Sequence, residues 1–475
     1  MIHRFNRTKI VATIGPASMD KSILEKMIRA GMDVCRINSS HGSHEMVEQI
    51  ISNVRALNGE LHTHVAILYD LQGPKLRIGD LEKEFELKDG ASLRLTTQEC
   101  LGTPEKVFIK YPQFAKDVSV GESVLINDGN IELRVSQKIS DQEVDTVVLH
   151  GGILSSRKGV NLPHTVISLP SLTEKDLLDL EFILTQNVEW IGLSFVRKAQ
   201  DVIALKNILR TRQSNARVVA KIEKPEAVAN IDHIISESDA VMVARGDLGV
   251  EMPMEQIPVI QKKIVFKCNA ASKPVIIATQ MMESMIFNFR PTRAEANDVG
   301  NAVFDGSDAL MLSAETSVGK YPVETINAMQ KIITEVEFLD EIYYRELAPK
   351  KEAINFISDS ICYTACTLAR QAKVTVIAAM THSGSTAFKI AAHRPKAEVY
   401  IFTDNKPLLC TLNLVWGVRG YYYDKYESTD QTFTDIKNYM VQHNLIESGE
   451  MMIHIASTPL NEKSTANTIK LALIE

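Results

Sequence analysis

Cysteine is sparse and unpatterned. The 475 residues hold six, at positions 35, 100, 268, 362, 366 and 410, with no CxxC pair among them. That excludes a disulfide framework and a thiolate zinc site, and it points to buried thiols in a reducing compartment. Cys362 and Cys366 stand four apart on an expected helix and so share a face. No stretch approaches the ~18 consecutive apolar residues of a membrane span. The opening residues, MIHRFNRTKIVATIG, lack the apolar core and cleavage site of a signal peptide. A cytoplasmic protein with no membrane partner is expected. Basic charge is not in excess either: Lys plus Arg number 52 against 59 Asp plus Glu, a net charge of -7. A general nucleic-acid binder would carry a basic footprint. Low-complexity tracts are missing.

What the chain does have is apolar material, 45% of its residues, and enough length for about three domains at ~150 residues each. Eight short, β-branched, nearly continuous apolar runs recur: TKIVATIG from Thr8, VCRINSS from Val34, HVAILYDL from His64, WIGLSF from Trp190, RVVAKIE from Arg217, AVMVAR from Ala240, PVIIAT from Pro274 and ALMLSA from Ala309. Such runs suit parallel strands covered on both faces. Helix-like segments lie between them, among them DKSILEKMIRAG from Asp20 and KAQDVIALKNILRT from Lys198. The spacing of roughly 23 to 35 residues is one βα unit each time, and eight units predict a (β/α)8 TIM barrel. The rhythm breaks once, between the third and fourth runs. Residues 78–169 there carry short alternating segments separated by turn residues, which predicts a small antiparallel β-barrel inserted as a lid domain. The barrel is then built from 1–77 and 170–345. From about residue 350 to 475 the pattern becomes a separate α/β domain with a mostly parallel sheet, containing the strand–loop–helix VTVIAAM-THSGST-AFKIAAH.

A barrel of this kind places its chemistry at the C-terminal strand ends. Those ends carry Arg36, Asn38, Ser40, Asp70, Glu223, Arg245, Asp247, Thr279, Ser313 and Glu315; the N-terminal ends carry no comparable set. Lys221 and Glu223 are two apart on one strand and share its inward face. Glu223 and Asp247 offer two hard oxygen ligands for Mg²⁺ or Mn²⁺, Lys221 is a compact point charge for a moving phosphoryl, and Arg36 can grip phosphate oxygens bidentately. The Gly246 turn lets backbone N–H groups face an anion. Any one of these residues alone is as well explained by a structural ion pair; their convergence on one barrel face weakens that explanation.

Taken together, RTKIVATIGPAS from Arg7, VCRINSSHG from Val34, DLQGPKLRIG from Asp70, VVAKIEKPEA from Val218, VMVARGDLGVE from Val241, IIATQMMESM from Ile276, RPTRAEANDV from Arg290 and DGSDALMLSAET from Asp305 resemble the pyruvate kinase family. The match runs in family order over nearly the whole chain. The resemblance implies phosphoryl transfer from phosphoenolpyruvate to ADP, giving pyruvate and ATP. It implies that Lys221 stabilises the phosphoryl in flight and that Glu223 and Asp247 hold the divalent metal. Gly246, Asp247 and Thr279 would receive the substrate carboxylate, and Arg36 the phosphate. Thr279 and Ser313 would lie near the site of enolate protonation, whose donor stays unassigned. Asn38, Ser39, Ser40, His41, Arg77 and Lys158 would serve the nucleotide. A homotetramer is implied as well.

The chain departs from the family pattern in places. Members that need K⁺ carry Thr and Lys after the aspartate and Glu beyond Gly-Pro; here Leu71, Gln72 and Lys75 stand instead. Asn38, Ser40, Asp70 and the Leu71 position are then a vestigial K⁺ site, with the Lys75 ammonium supplying the positive charge, and K⁺ independence is expected. Ser39 stands where the family usually has Phe. The family also implies a phosphorylated effector, a sugar phosphate or nucleotide, at Thr381, Ser383, Ser385 and Thr386, a hydroxyl-rich loop before a helix. Two other readings are open to the residues: a metal-dependent enolate lyase or aldolase, which would have no use for Arg77 and Lys158, and a non-catalytic sensor, which would be expected to lose Lys221 or a metal carboxylate.

Overall fold

Eight parallel strands close into a barrel in sequential order: β1 (Lys9–Thr13), β2 (Val34–Asn38), β3 (Ala66–Asp70), β4 (Trp190–Leu193), β5 (Arg217–Ile222), β6 (Ala240–Ala244), β7 (Val275–Ala278) and β8 (Ala309–Leu312). Each apolar run expected as a strand is one. The computed structural model describes residues 5–40, 42–425, 428–459 and 465–474. Burial explains why the runs are continuous rather than alternating. Ile10 and Ala12 pack outward against the helix ring, whereas Val11, Val34, Leu68, Trp190, Val219, Met242 and Met311 belong to the cluster that fills the barrel interior. Both faces of every strand are therefore dry, and only the strand ends are free to be polar.

The chain leaves the barrel after β3 and builds a six-stranded sheet in the order Val160–Asn161, Ser123–Ile126, Ile131–Lys138, Glu143–His150, Ser92–Thr96 and Lys106–Phe108. All its pairs are antiparallel except the last, where Ser92–Thr96 and Lys106–Phe108 run parallel. This domain has its own core around Leu93, Val107, Ile126, Leu133 and Val148. A bridge between Arg77 and Gly159 ties its entry to its exit.

Past the barrel, β9 (Val376–Met380), β10 (Glu398–Thr403), β11 (Val418–Tyr422), β12 (Met451–Ala456) and β13 (Thr468–Leu473) form a sheet in the order β11-β10-β9-β12-β13. It is parallel apart from the final β12–β13 pair. This domain seats against the barrel's N-terminal end. Arg394, 1% exposed, donates to Asp308 Oδ2 and to Asn269 Oδ1, each at 2.9 Å, and lies over the Trp416 ring. The Trp190 indole donates to the Thr411 carbonyl at 3.3 Å.

Candidate active site

The C-terminal strand ends gather the charges. Arg36, in the middle of β2, donates Nε and Nη2 to Asp70 Oδ2 and Nη1 to Thr13 Oγ1. Lys221, near the end of β5, places Nζ 3.2 Å from Asp70 Oδ2, 3.0 Å from Glu223 Oε1 and 2.7 Å from Ser194 Oγ. Glu223 Oε2 accepts the Phe195 N–H at 2.8 Å. All four charged groups are buried. Burial works against the Lys221 ammonium, but Asp70 and Glu223 outweigh it and hold its pKa above the ordinary lysine value. Burial likewise penalises the Asp70 carboxylate, yet Lys221 and Arg36 hold its pKa below the usual range. Glu223 is pushed up, by burial first and then, against the pull of Lys221, by the facing charge of Asp247.

That last effect bears on a metal. Among the described residues no group of three or more His, Cys, Asp or Glu is placed to hold an ion. Two facing carboxylates, one buried and one with its side chain 29% exposed, fit a Mg²⁺- or Mn²⁺-type ion that keeps waters and takes substrate oxygens.

Around Asp247 the backbone is arranged by β6 and β7. The short helix Arg245–Glu251 starts directly at the end of β6, so the Gly246 and Asp247 amides lie in a first turn, without intrahelical partners. Gly246 N–H donates to Thr279 Oγ1 at 2.7 Å, and a Cβ on Gly246 would stand 3.3 Å from that oxygen. Thr279 has φ 69° and Gln280 φ 55°. A β-branched residue in the left-handed region is strained, at about 1–3 kcal/mol. Arg245 opposes that strain: Nη2 grips the Thr279 carbonyl at 2.9 Å while the guanidinium pairs with Asp298. Ser313 Oγ is buried without a partner among the described residues, and its N–H donates to Glu315 Oε2 at 2.7 Å.

The remaining expected residues fall as follows. Ser40 N–H donates to Asn38 Oδ1 at 3.0 Å, Ser39 is buried, and His41 lies outside the described residues. The Leu71 carbonyl accepts the Ser194 hydroxyl at 2.6 Å. The Lys75 ammonium reaches Asp247 at 3.6 Å. Arg77 donates to the Arg157 carbonyl at 3.0 Å, which brings it beside Lys158 at the lid edge. The lid descends on the site: Val160 and Asn161 line a narrow cleft with Pro74, Lys75, Phe195 and Asp247. Asn161 donates to Glu251 Oε1 at 2.8 Å, and Glu251 also pairs with Lys224. Far from this cluster, at the other end of the barrel, Thr381 and Ser383 lie in the loop before the helix Ser385–Ala392, which Ser385 opens and in which Thr386 is buried. Gly384 N–H donates to Thr381 Oγ1 at 3.0 Å.

Sequence reasoning missed Ser194, Phe195, Thr13 and the Glu251–Lys224–Asn161 set. The fourth strand run, WIGLSF, already closed on Ser194 and Phe195, so the strand-end rule could have found both; Thr13 and Asn161 carried no such signal.

By fold and by the placement of its charges at one end, this is a (β/α)8-barrel enzyme. Residues 5–326 match the family described as pyruvate kinase, barrel domain, and residues 359–472 match pyruvate kinase, alpha/beta domain. The chain is 42% identical over 473 residues to the pyruvate kinase of Geobacillus stearothermophilus, covering 98% of this chain and 80% of that one. It is 40% identical over 476 residues to that of Staphylococcus aureus, with the same coverage. Among solved structures, a pyruvate kinase from Cryptosporidium parvum superposes with a TM-score of 0.93 at 35% identity, over 99% of this chain and 96% of that chain. The chain belongs to the pyruvate kinase family.

Proposed function

We propose that this enzyme transfers the phosphoryl group of phosphoenolpyruvate to ADP, with Mg²⁺ or Mn²⁺ at Glu223 and Asp247. The observation that carries the reading is the buried Lys221 ammonium held between Asp70 and Glu223, with Arg36 on the same Asp70 oxygen. Phosphoryl transfer needs little covalent chemistry from protein and much positioned positive charge. Glu223 and Asp247 would hold the divalent ion, which would supply positive charge to offset that of the substrate oxygens. Arg36 holds the phosphate, and Lys221 follows the phosphoryl as it moves. The Gly246 and Asp247 amides with the Thr279 hydroxyl receive the substrate carboxylate. Thr279 and Ser313 border the carbon to be protonated. Asn38, Ser39, Ser40, His41, Arg77 and Lys158 serve the nucleotide, and the lid excludes water from the cleft.

The Lys75 ammonium adds a fixed positive charge beside Asp247, which supports K⁺ independence with Asn38, Ser40, Asp70 and Leu71 as the remnant of a monovalent site. A phosphorylated effector, sugar phosphate or nucleotide, would sit at Thr381, Ser383, Ser385 and Thr386. Arg217 at the start of β5 donates to the Ser383 carbonyl at 2.7 Å, so that loop touches the strand that carries Lys221. A homotetramer is the assembly this reading carries. Among the described residues no helix is long and apolar enough to cross a membrane.

One coupled assay tests these points: ADP and phosphoenolpyruvate, with and without Mg²⁺, with KCl or a Na⁺ control at constant ionic strength, and with a panel of sugar phosphates and AMP. Turnover that requires both substrates and the divalent ion, changes less than about twofold with K⁺, and shows a lower apparent KM for phosphoenolpyruvate with one effector is the expected outcome. A large K⁺-specific rise would remove Lys75 from the monovalent role, and turnover without ADP would favour a lyase.

A further inference from the structure

An ammonium has three N–H donors and no acceptor. The Lys221 ammonium has three oxygens close by: it donates to Ser194 Oγ and is ion-paired with Asp70 Oδ2 and Glu223 Oε1. The three partners are not equivalent. Asp70 is also gripped by Arg36, and Glu223 faces Asp247 as one of the two carboxylates suited to a cation. Each therefore has a competing demand on its charge. Ser194 has none, and its hydrogen-bond directions follow from chemistry alone. The Leu71 carbonyl 2.6 Å away can only accept, so the single hydroxyl proton points there. Its lone pairs are left for Lys221, which can only donate.

The relay is also mechanically fixed. Ser194 is 2% exposed. The Leu71 N–H donates to the Gly192 carbonyl at 2.9 Å, locking the end of β3 to β4. A Cβ placed on Gly73 would come within 3.0 Å of the Ser194 Cβ, so the serine is hemmed in on that side.

We propose that Ser194 is a positioning residue for Lys221, its hydroxyl holding the ammonium at the phosphoryl path while the Glu223 contact is given up to incoming ligands. The proposal rests on the phosphoryl-transfer reading above. Without the hydroxyl, Lys221 is held only by two carboxylates, which draw it toward themselves, and the Leu71 carbonyl loses its side-chain donor.

The test uses the full-length enzyme. Ser194→Ala is expected to lower kcat by about 10- to 100-fold, the range for removing a group that orients a reactive one, with the apparent KM for phosphoenolpyruvate within about threefold. Ser194→Thr, which keeps the hydroxyl, is expected to retain at least about a third of wild-type kcat, well above the alanine variant. A readout independent of turnover is the rate at which trinitrobenzenesulfonate labels Lys221, mapped by mass spectrometry. It is expected to rise at least about threefold in Ser194→Ala, because a lost acceptor frees the amine. Alanine turnover within about twofold of wild type, or a threonine variant no better than alanine, overturns the proposal. If the alanine variant does not fold, Ser194→Cys replaces it: a thiol of similar size is a poor acceptor, so cysteine and threonine variants of equal kcat overturn the idea. If the wild-type enzyme shows no ADP-dependent turnover, the functional reading fails, and the labelling rate alone decides the role of Ser194.

Discussion

Lys221, near the end of β5, and Glu223, one residue past it, are expected on the proposed reading to fail differently. Lys221→Ala removes a charge aimed at the group in transfer, and kcat is expected to drop by at least about 10²–10³-fold, the cost of deleting a preorganised electrostatic contact. Glu223→Gln keeps the size and removes an ionised ligand, so its first effect is on the ion. Mn²⁺ titration followed by electron paramagnetic resonance is expected to show affinity weakened by at least about tenfold. A glutamine variant that binds Mn²⁺ as wild type does would place the ion elsewhere. That the two side chains meet was legible from their spacing, because an extended chain's period of two puts Lys221 and Glu223 on one face. The Thr279 conformation was not: nothing in ATQM reveals a φ of 69°, which depends on Arg245 reaching across from β6 to hold the carbonyl.

At the scale of elements, the apolar runs were readable because parallel strands buried on both faces leave no polar positions until their ends. β13, the antiparallel last strand, was not anticipated; its residues Lys470, Leu471 and Leu473 are exposed, so its pattern lacks the continuous apolar signature. On neighbouring β12, His454 is 2% exposed, beside the Phe433 ring and opposite Lys470. Burial, then Lys470 and Lys437, lowers its pKa from 6.5 to about 4. The folded state thus resists a proton that the unfolded chain accepts. Stability is full above the unfolded value and falls as pH drops from 6.5 towards 4. His454→Leu is expected to flatten that part of the stability–pH curve by up to about 2–3 kcal/mol, at 1.36 kcal/mol per unit. Urea unfolding of the full-length protein at pH 7 and pH 5 checks it, and an unchanged slope would mean that His454 is not the group responsible.

The whole molecule depends on contacts between units that are far apart in sequence. Arg394, from the C-terminal domain, neutralises Asp308 at the start of β8 in a fully buried pair. Arg394→Ala would leave that carboxylate buried without its ion-pair partner, at a cost of about 3–5 kcal/mol. Calorimetry is expected to show a lowered and split transition as the C-terminal domain separates from the barrel. A single transition within about 1 °C of wild type would mean that the interface does not rely on this pair.

The sequence by itself determined the barrel, its interruption by a β domain, the following α/β domain, and the types of charge at the catalytic face. Periodicity and strand ends are local properties, and burial writes them directly into residue type. Only the tertiary structure decided which groups meet: Lys75 and Asp247, Asp70 shared by Arg36 and Lys221, Asn161 on Glu251, and Ser194 between Leu71 and Lys221. Those contacts join residues on different strands or different domains. Their distances depend on barrel closure and lid placement, which no local pattern encodes.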